Sequence, residues 1–562
     1  MSKPISEKKT VKLLIDMCVN EGIDKVVISP GSRNAPLIVS FAAIEAFECF
    51  SIVDERSAAF FALGMAQQTG KPVALVCTSG TAVLNYAPAI AEAYYQNVPL
   101  VVITADRPQE WIDQADGQTI RQDGIYSNYI KYDCTLPVDL YTPEDEWYAR
   151  RMISEAFIQC RKGLAGPVHI NIPLREPLYG RTVHPQKKVT PIQYIKSSNE
   201  LSEDALTELV TYSHSTERIM ILVGMRHPNE ALTAQLNLLS QHERVIVLTE
   251  SMSNSHGDGF IRCIDRIVGS LREEEGPLFR PDLLITLDGP VLSKMVKTLL
   301  RQYPPREHWH LSEAGQVVDT YQQLTRVVEA NPVKVLTQLH QHLEQAKSRF
   351  RETWQRRAEV TAQIHHDYVK SLAWCDMKAF DAICMHLPKP SVVQLGNSTP
   401  VRYAQFFDNF QQTQSFANRG TSGIDGCVST AVGAAYVQNK PVVLLVGDLS
   451  FFYDSNALWN NYLSDNLKIV LINNGGGGIF RFIPGPSDTD ELDEFIATAH
   501  TMKAEMIARQ FNVHYLQSAD EASLLALLPD FFAHRGPAIL EVLTPMKENG
   551  KLLRNYFAML KK

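Results

Sequence analysis

The chain has 562 residues, 45% hydrophobic and 21% charged, with a formal net charge of -8. That length suits three or four domains of about 100–200 residues, and the acidic balance offers no basic surface for nucleic-acid phosphates, only local basic pockets for small anions. Nine scattered cysteines without a C-x-x-C pair read as buried, reduced thiols, not as a disulfide framework or a zinc site. No apolar stretch is long enough to span a bilayer, and no long apolar run follows the N-terminus, so a cytoplasmic location is expected.

The first 182 residues alternate strand-like runs, "KVVISP", "PVALVCT", "PLVVITADRP" and "PVHINIP", with helical patterns such as "TAVLNYAPAIAEAYYQN". Continuous apolar strands separated by helices predict a parallel sheet covered on both faces. The polar stretch "GRTVHPQKKVTPIQYIKSSNE" marks a boundary, and a second α/β domain over 183–345 follows, with "RIMILVGM", "RVIVLTE" and "PDLLITLDGP" as strands. The charged amphipathic segment "LHQHLEQAKSRFRETWQRRAEVTAQIHHDYV" reads as a helical connector into a third α/β domain, 346–562, with strands "SVVQLGNS", "PVVLLVGD" and "LKIVLINN". "ERSAAFFALGMAQQTGKPVALVCTSG" and "DGCVSTAVGAAYVQNKPVVLLVGDLS" share a small-residue helix, a Lys-Pro-Val step, a buried strand and a turn, which predicts a duplicated unit. The expected fold class is therefore α/β, with three doubly wound parallel-sheet domains.

Ligands in such sheets bind at the carboxyl ends of the strands. "VDER", "TSGT", "TADRP", "GNS", "GDLS" and "NNGGGG" all fall there. Asp448 ends one buried strand and Asn474 the next, followed by Gly475 to Gly478. Two hard oxygen ligands beside a glycine turn suit a Mg2+ ion holding a diphosphate, because Mg2+ takes one or two protein oxygens and completes its shell with phosphate and water. Asp54 and Glu55 open a helix, where an acidic residue caps unpaired N–H groups and meets the positive end of the dipole.

Gly447-Asp448 followed by Asn473-Asn474 resembles the motif of thiamine-diphosphate enzymes, although Leu449 stands where glycine is common. The resemblance gives Glu55 a second meaning: hydrogen bonding to the aminopyrimidine ring of the cofactor, in a setting shielded from water. Asp54 keeps the capping role. "VVISPGSRNAPL", "VDERSAAFFALGMA", "GQTIRQDGIY", "GNSTPVR" and "NRGTSGIDG" are similar, in order and over nearly the whole chain, to the 2-succinyl-5-enolpyruvyl-6-hydroxy-3-cyclohexene-1-carboxylate (SEPHCHC) synthase family.

That resemblance implies a transferase that decarboxylates 2-oxoglutarate and adds the remaining fragment to isochorismate in a Stetter-like 1,4-addition, for menaquinone biosynthesis. Thiamine diphosphate and Mg2+ (or Mn2+) are the implied cofactors. Glu55 is the implied catalytic residue, and Asp448, Asn474 and Gly476 the implied metal ligands. Ser398, Ile424, Leu449, Ser450, Ile479 and Phe480 match cofactor-side positions, with Ile424 as the apolar wedge that bends the cofactor. Substrate contacts map onto Ser32, Arg33, Arg107, Gln118, Lys294, Arg402 and Arg419, with Phe480 and Ile483 lining the pocket. Arginine forks match carboxylates bidentately, as these substrates require. A homodimer or homotetramer with sites at the subunit interface is implied as well.

The chain departs from the family at Gly475 and Gly478, where relatives tend to carry Asn and a longer polar residue, so the mobility of this loop is expected to differ. The central domain lacks a dinucleotide fingerprint, which speaks against a flavin. A simple 2-oxo acid decarboxylase is the nearest alternative, but such enzymes use a histidine pair in the first domain, and no histidine precedes His169. A non-catalytic nucleotide-binding protein on the same sheets would not need Glu55 together with Asp448 and Asn474.

Overall fold

Apolar runs build three parallel sheets in a computed structural model that describes residues 3–185, 189, 191–196, 200–287, 289–410, 412–482 and 485–562. The first sheet holds β1 (Lys25–Ile28), β2 (Glu48–Ser51), β3 (Val73–Cys77), β4 (Leu100–Asp106), β5 (Asp133–Thr135) and β6 (Val168–Pro173), in the order β2-β1-β3-β4-β6-β5. The central sheet holds β7 (Ile219–Val223), β8 (Val245–Thr249), β9 (Leu283–Leu287), β10 (Glu307–Ser312) and β11 (Arg326–Glu329), in the order β8-β7-β9-β10-β11. The last holds β12 (Ser391–Leu395), β13 (Thr413–Phe416), β14 (Val442–Gly447), β15 (Leu467–Asn473), β16 (His514–Ser518) and β17 (Ala538–Leu543), in the order β13-β12-β14-β15-β17-β16. First and last sheets thus share one permutation of six strands. The duplicated unit read from the helix–turn–strand similarity is present as a topology.

The strands absent from the sequence reading have physical reasons. β2, β5, β11, β13 and β16 are edge strands of three to five residues in which polar side chains interrupt the apolar run. β10 and β17 are interior, but their apolar runs are interrupted by polar residues that find buried partners. His308 Nε2 and His310 Nδ1 meet Thr286 Oγ1 at 2.9 and 3.0 Å, and Glu541 Oε1 accepts from Asn473 Nδ2 at 2.7 Å. The single helix expected over 81–97 is two, Thr81–Asn85 and Ala87–Gln96, broken at Tyr86 with Pro88 in the first turn of the second.

The segment read as one helical connector is broken: its first residues end helix Pro332–His342, and the chain becomes helical again only at Phe350. Helix Phe350–Ser371 buries Phe350 and Trp354 in the central core, and Tyr368 and Val369 in the core of the last domain. It therefore joins the two domains through side-chain packing. Among the described residues no helix is long and apolar enough to cross a membrane.

Helix Glu55–Thr69 starts where Asp54 Oδ1 accepts from the N–H groups of Arg56 and Ser57 at 2.9 and 3.2 Å, the cap expected of Asp54. It ends at Gly70 in the left-handed region (φ 66). Its small residues let it lie closely on helix Cys427–Val437, its counterpart in the last domain. A Cβ on Gly64 would come within 2.0 Å of Thr430 O, and one on Gly433 within 2.0 Å of Phe61 O. Two glycines thus set the distance between the first and last domains.

Candidate active site

In the last domain, the parallel register that pairs Gly447 with Ile472 brings Asp448 alongside the Asn473–Asn474 turn. Asp448 is 3% exposed; its Oδ2 accepts from Gly476 N at 3.0 Å and its Oδ1 from Leu449 N at 2.6 Å. Asn474 donates through Nδ2 to Asp376 Oδ2 at 2.9 Å, which turns its Oδ1 the other way. Asn473 is used up locally, with Oδ1 accepting from Gly475 N and Nδ2 donating to Met502 O and Glu541 Oε1. Gly475 and Gly476 both need glycine, with φ of 79° and 150°, and a Cβ on Gly476 would stand 2.6 Å from Ala497 O. The carbonyl of Gly476 accepts from Gly478 N at 2.9 Å. Ile479 and Phe480 follow, half-buried, on a short 3-10 turn, while Ile483 lies outside the described residues.

The segment after the glycine turn folds back over it. Gly477 N donates to Ala497 O and His500 N to Gly475 O, so the turn is held at both ends. His500 Nε2 stands 3.5 Å from Asp448 Oδ2. A Cβ at Gly447 would meet nothing within 4 Å, so space is open beside Asp448. Among the described residues no three His, Cys, Asp or Glu side chains gather as a metal cluster. The donors here are one carboxylate, one amide oxygen and a backbone carbonyl, a hard set that could hold Mg2+ together with phosphate oxygens.

The other residues expected on the cofactor side converge on the same edge. Ser398, at φ 72, starts helix Thr399–Tyr403, which carries Arg402. Asn397 Nδ2 donates to the carbonyls of Asn418 and Gly423 at 2.7 and 2.6 Å, and its Oδ1 accepts from Arg419 Nη1 at 2.9 Å. Ser450 Oγ donates to Ile424 O at 2.8 Å, fixing Ile424 beside the helix that begins at Asp448. Burial pulls Arg402 and Arg419 below their usual range, and for Arg419 the charge of Arg402 adds to it. Both are half-buried, and Arg402 Nε has no hydrogen-bond partner, so the pair is chemically suited to anionic oxygen.

In the first domain the strand ends collect the remaining residues. Arg33, after β1, donates through Nη1 to Leu174 O at 2.9 Å and through Nη2 to Glu176 Oε1 at 3.2 Å. Arg107, after β4, meets the same Glu176 oxygen at 3.6 Å and also contacts Asp116. Burial, followed by the charge of Arg107, pulls Arg33 down. Ser32 is exposed beside Arg33, and exposed Gln118, at φ 56, lies over the Gly80 turn. Glu55 is half-buried, its Oε2 3.4 Å from Asn85 Nδ2, so a single chain leaves incomplete the shielding expected for it. His169 is fully buried between Asp133 and Thr104, a sheet residue with no role at this edge.

Lys294 is exposed and lines a surface groove with Met295 and Tyr303. One turn on, Lys297 lines a cleft of about 920 Å3 between the domains, with Tyr94, His310, Tyr321 and Arg419. Both lysines stand in the stretch "GPVLSKMVK", and helical spacing decides which of them faces Arg419. Glu250 was also unmarked in the sequence. Its carboxylate accepts from Leu292 N and Ser293 N at 2.7 Å each, and burial pushes it up to about 7. Its signal is tertiary, as is that of Asp376, pushed up to about 6 by burial despite the hydrogen bonds it accepts from Thr544 and Asn474.

No hydrogen bond or ion pair links Glu55, Arg33 or Arg107 to Asp448 or Asn474 among the described residues. Their flanking residues do meet within the chain: Arg56 Nη2 donates to Tyr453 O at 2.9 Å, and Asn456 Nδ2 donates to Asp54 Oδ2 at 2.8 Å. Residues 8–125 match the thiamine pyrophosphate enzyme N-terminal TPP binding domain, and residues 396–542 the corresponding C-terminal TPP binding domain. The chain is 42% identical to the SEPHCHC synthase of Flavobacterium psychrophilum, over 97% of this chain and 98% of that protein. It is 39% identical to the synthase of the same name from Porphyromonas gingivalis, over 100% and 98%, and 41% identical to that of Flavobacterium johnsoniae, over 97% and 98%. Similarity at this level along the whole length of both chains, with both cofactor-binding domains matched, means that the chain belongs to the 2-succinyl-5-enolpyruvyl-6-hydroxy-3-cyclohexene-1-carboxylate synthase family of thiamine pyrophosphate enzymes.

Proposed function

We propose that this protein condenses 2-oxoglutarate with isochorismate, releasing CO2 and forming SEPHCHC for menaquinone biosynthesis. The observation that carries the reading is the near-full-length relationship to synthases of that name. Thiamine diphosphate, when bound, supplies a carbon nucleophile that takes up a 2-oxo acid, stabilises the charge left by CO2 and delivers the remaining fragment to an acceptor. Domain 1–182 takes the pyrimidine end of the cofactor and domain 346–562 the diphosphate, with 183–345 between them.

The residues divide the work by chemistry. Glu55 holds a proton against the pyrimidine ring. Asp448, Asn474 Oδ1 and the Gly476 carbonyl hold Mg2+, and Ser398, Leu449, Ser450, Ile479 and Phe480 line the cofactor around the Ile424 wedge. Arg33 and Arg107, now paired with Glu176, exchange that partner for a substrate carboxylate, with Ser32 and Gln118 beside them. Arg402 and Arg419 take a second carboxylate, and Lys297, whose cation faces the same cleft, joins Lys294 as a candidate contact.

The working unit under this reading is a homodimer in which Glu55 of one copy faces Asp448 of the other; this is supported by the absence of any hydrogen bond from Glu55 to Asp448 or Asn474 among the described residues. Val53 and Leu84, beside Glu55 and Asn85 in sequence, are 47% and 48% exposed, and Tyr453, at the end of the helix that begins at Asp448 and against Arg56, is 55% exposed, which suits a covered face. The test is to incubate the protein with thiamine diphosphate, Mg2+, 2-oxoglutarate and isochorismate and follow SEPHCHC by mass spectrometry. CO2 release from 2-oxoglutarate without the adduct would favour a simple decarboxylase.

A further inference from the structure

We infer that Asp376 is a positioning residue that aims the carbonyl oxygen of Asn474 at the metal. An amide is two-faced: its oxygen binds a cation and its NH2 group repels one, so an asparagine ligand works only if something selects the face. An ionised carboxylate can only accept hydrogen bonds, and Asp376 Oδ2 receives Asn474 Nδ2 at 2.9 Å. The NH2 end is thereby held on the Asp376 side and Oδ1 is presented on the opposite side.

The carboxylate is itself fixed. Asp376 is 1% exposed; Thr544 Oγ1 donates to its Oδ1 at 2.5 Å, and its own N–H donates to Asn549 Oδ1 at 2.9 Å. Asn549 is anchored in turn to Pro545 O, and Thr544 N donates to Asn473 O at 3.1 Å, so the network closes on the end of β15. Gly478 leaves the amide its room, since a Cβ there would stand 2.8 Å from Asn474 Nδ2. Asn473 cannot substitute, because both ends of its amide are committed elsewhere. Outer partners of this kind typically change metal affinity by about 10–100-fold when removed.

The inference rests on the proposed reading of Asp448 and Asn474 as metal ligands, and the test separates the two. Full-length protein saturated with thiamine diphosphate is titrated with Mn2+ and free Mn2+ is read by EPR. The variants are Asp448→Ala, Asp376→Asn, Asn474→Asp and the exchanged pair Asp376→Asn/Asn474→Asp, with thermal unfolding in the absence of metal as the check on folding. Asp376→Asn is expected to weaken Mn2+ binding by about 10–100-fold, because its new NH2 group competes for Asn474 Oδ1. Asn474→Asp alone sets two carboxylates against each other, and the exchanged pair restores one donor and one acceptor and so regains affinity. A merely structural role for Asp376 would move the unfolding curve and leave Mn2+ affinity unchanged. Affinity within about twofold of the unsubstituted protein for Asp376→Asn, while Asp448→Ala loses it, would overturn the inference. If Asp376→Asn does not fold, the exchanged pair binding no better than Asn474→Asp overturns it equally. Undiminished binding in Asp448→Ala would bring down the metal-site reading itself.

Discussion

Replacing Gly433 by alanine tests whether the glycine crossing sets the distance between the two cofactor-binding domains. The new methyl would stand 2.0 Å from Phe61 O and 2.8 Å from Phe61 C, backbone atoms of a helix that cannot rotate aside. Ordinary contact starts near 3.4 Å, so helix Glu55–Thr69 and helix Cys427–Val437 must part by about 1.4 Å at the crossing. A gap of that size removes a large part of the dispersion contact between the faces built from Phe60, Phe61, Val428 and Val432, all buried in one core. Overpacking of this sort costs about 1–3 kcal/mol, and a backbone clash belongs at the upper end; better helix propensity returns about 1, leaving a net loss of about 2 kcal/mol. The assay is the urea midpoint of the first unfolding transition, since a chain of three domains has no single unfolding free energy. Gly117→Ala, where the methyl meets nothing within 4 Å, is the control. The double variant Gly64→Ala/Gly433→Ala should cost less than the sum of the singles, because one parting of the helices makes room for both methyls. A Gly433→Ala midpoint at or above that of the unsubstituted protein would refute the reasoning.

Three further outcomes are expected. Glu55→Gln should keep the fold and most cofactor affinity by calorimetry yet lose nearly all SEPHCHC formation; full activity with thiamine diphosphate would contradict the proton-holding role. Asp454, wholly buried and accepting from Ser429 N and Oγ, is pushed up to about 7 by burial, against a usual 3.8. Between those values the native state holds a proton that the unfolded state lacks, so Asp454 makes stability fall as pH rises through that window, by up to about 1.4 kcal/mol per pH unit. Asp454→Asn should flatten the difference in urea midpoint between about pH 5 and pH 7.5 relative to the unsubstituted protein. Glu92, 1% exposed, accepts from Gly420 N, Thr421 N and Thr421 Oγ1 at 2.6 Å each, and so ties the first domain to the loop bearing Arg419. Glu92→Gln replaces one acceptor oxygen by a donor and should cost about 1–3 kcal/mol; under the proposed assignment of Arg419 to a substrate carboxylate it should also raise a substrate KM, which steady-state kinetics would read.

What the sequence disclosed follows from how local each signal is. Asp448 and Asn474 were legible because two apolar strands end in register and each is followed at once by its polar residue. Asp54 was legible as a cap because the groups it binds lie two and three residues ahead. Asp376 carried no such signal: it reaches Asn474 across 98 residues, from a helix of its own. Arg33 and Glu176 meet across 143 residues, and nothing near either one announces the other. Choosing between Lys294 and Lys297, one turn apart, requires knowing which face of the helix is covered, which local sequence does not show.

The duplication sharpens what the strand-end loops decide. The two six-stranded sheets are the same permutation, so each loop in one has a counterpart in the other. After its second strand the first sheet carries Glu55, whereas the last sheet carries Arg419 and Ile424. After its third strand the first sheet carries Thr78-Ser79-Gly80, with no carboxylate, whereas the last carries Gly447-Asp448. The shared scaffold therefore does not make two equivalent sites in one chain. It places Glu55 at one edge without an Asp448–Asn474 pair and that pair at the other edge without Glu55, and only the loops differ. Within a chain, the Gly64–Gly433 crossing and the Glu92 tether hold these unlike edges in a fixed relation. Under the proposed function, a second copy related by a two-fold axis would supply each edge with its complement, so the divergence of equivalent loops on one scaffold is what gives the two edges different parts in the same site.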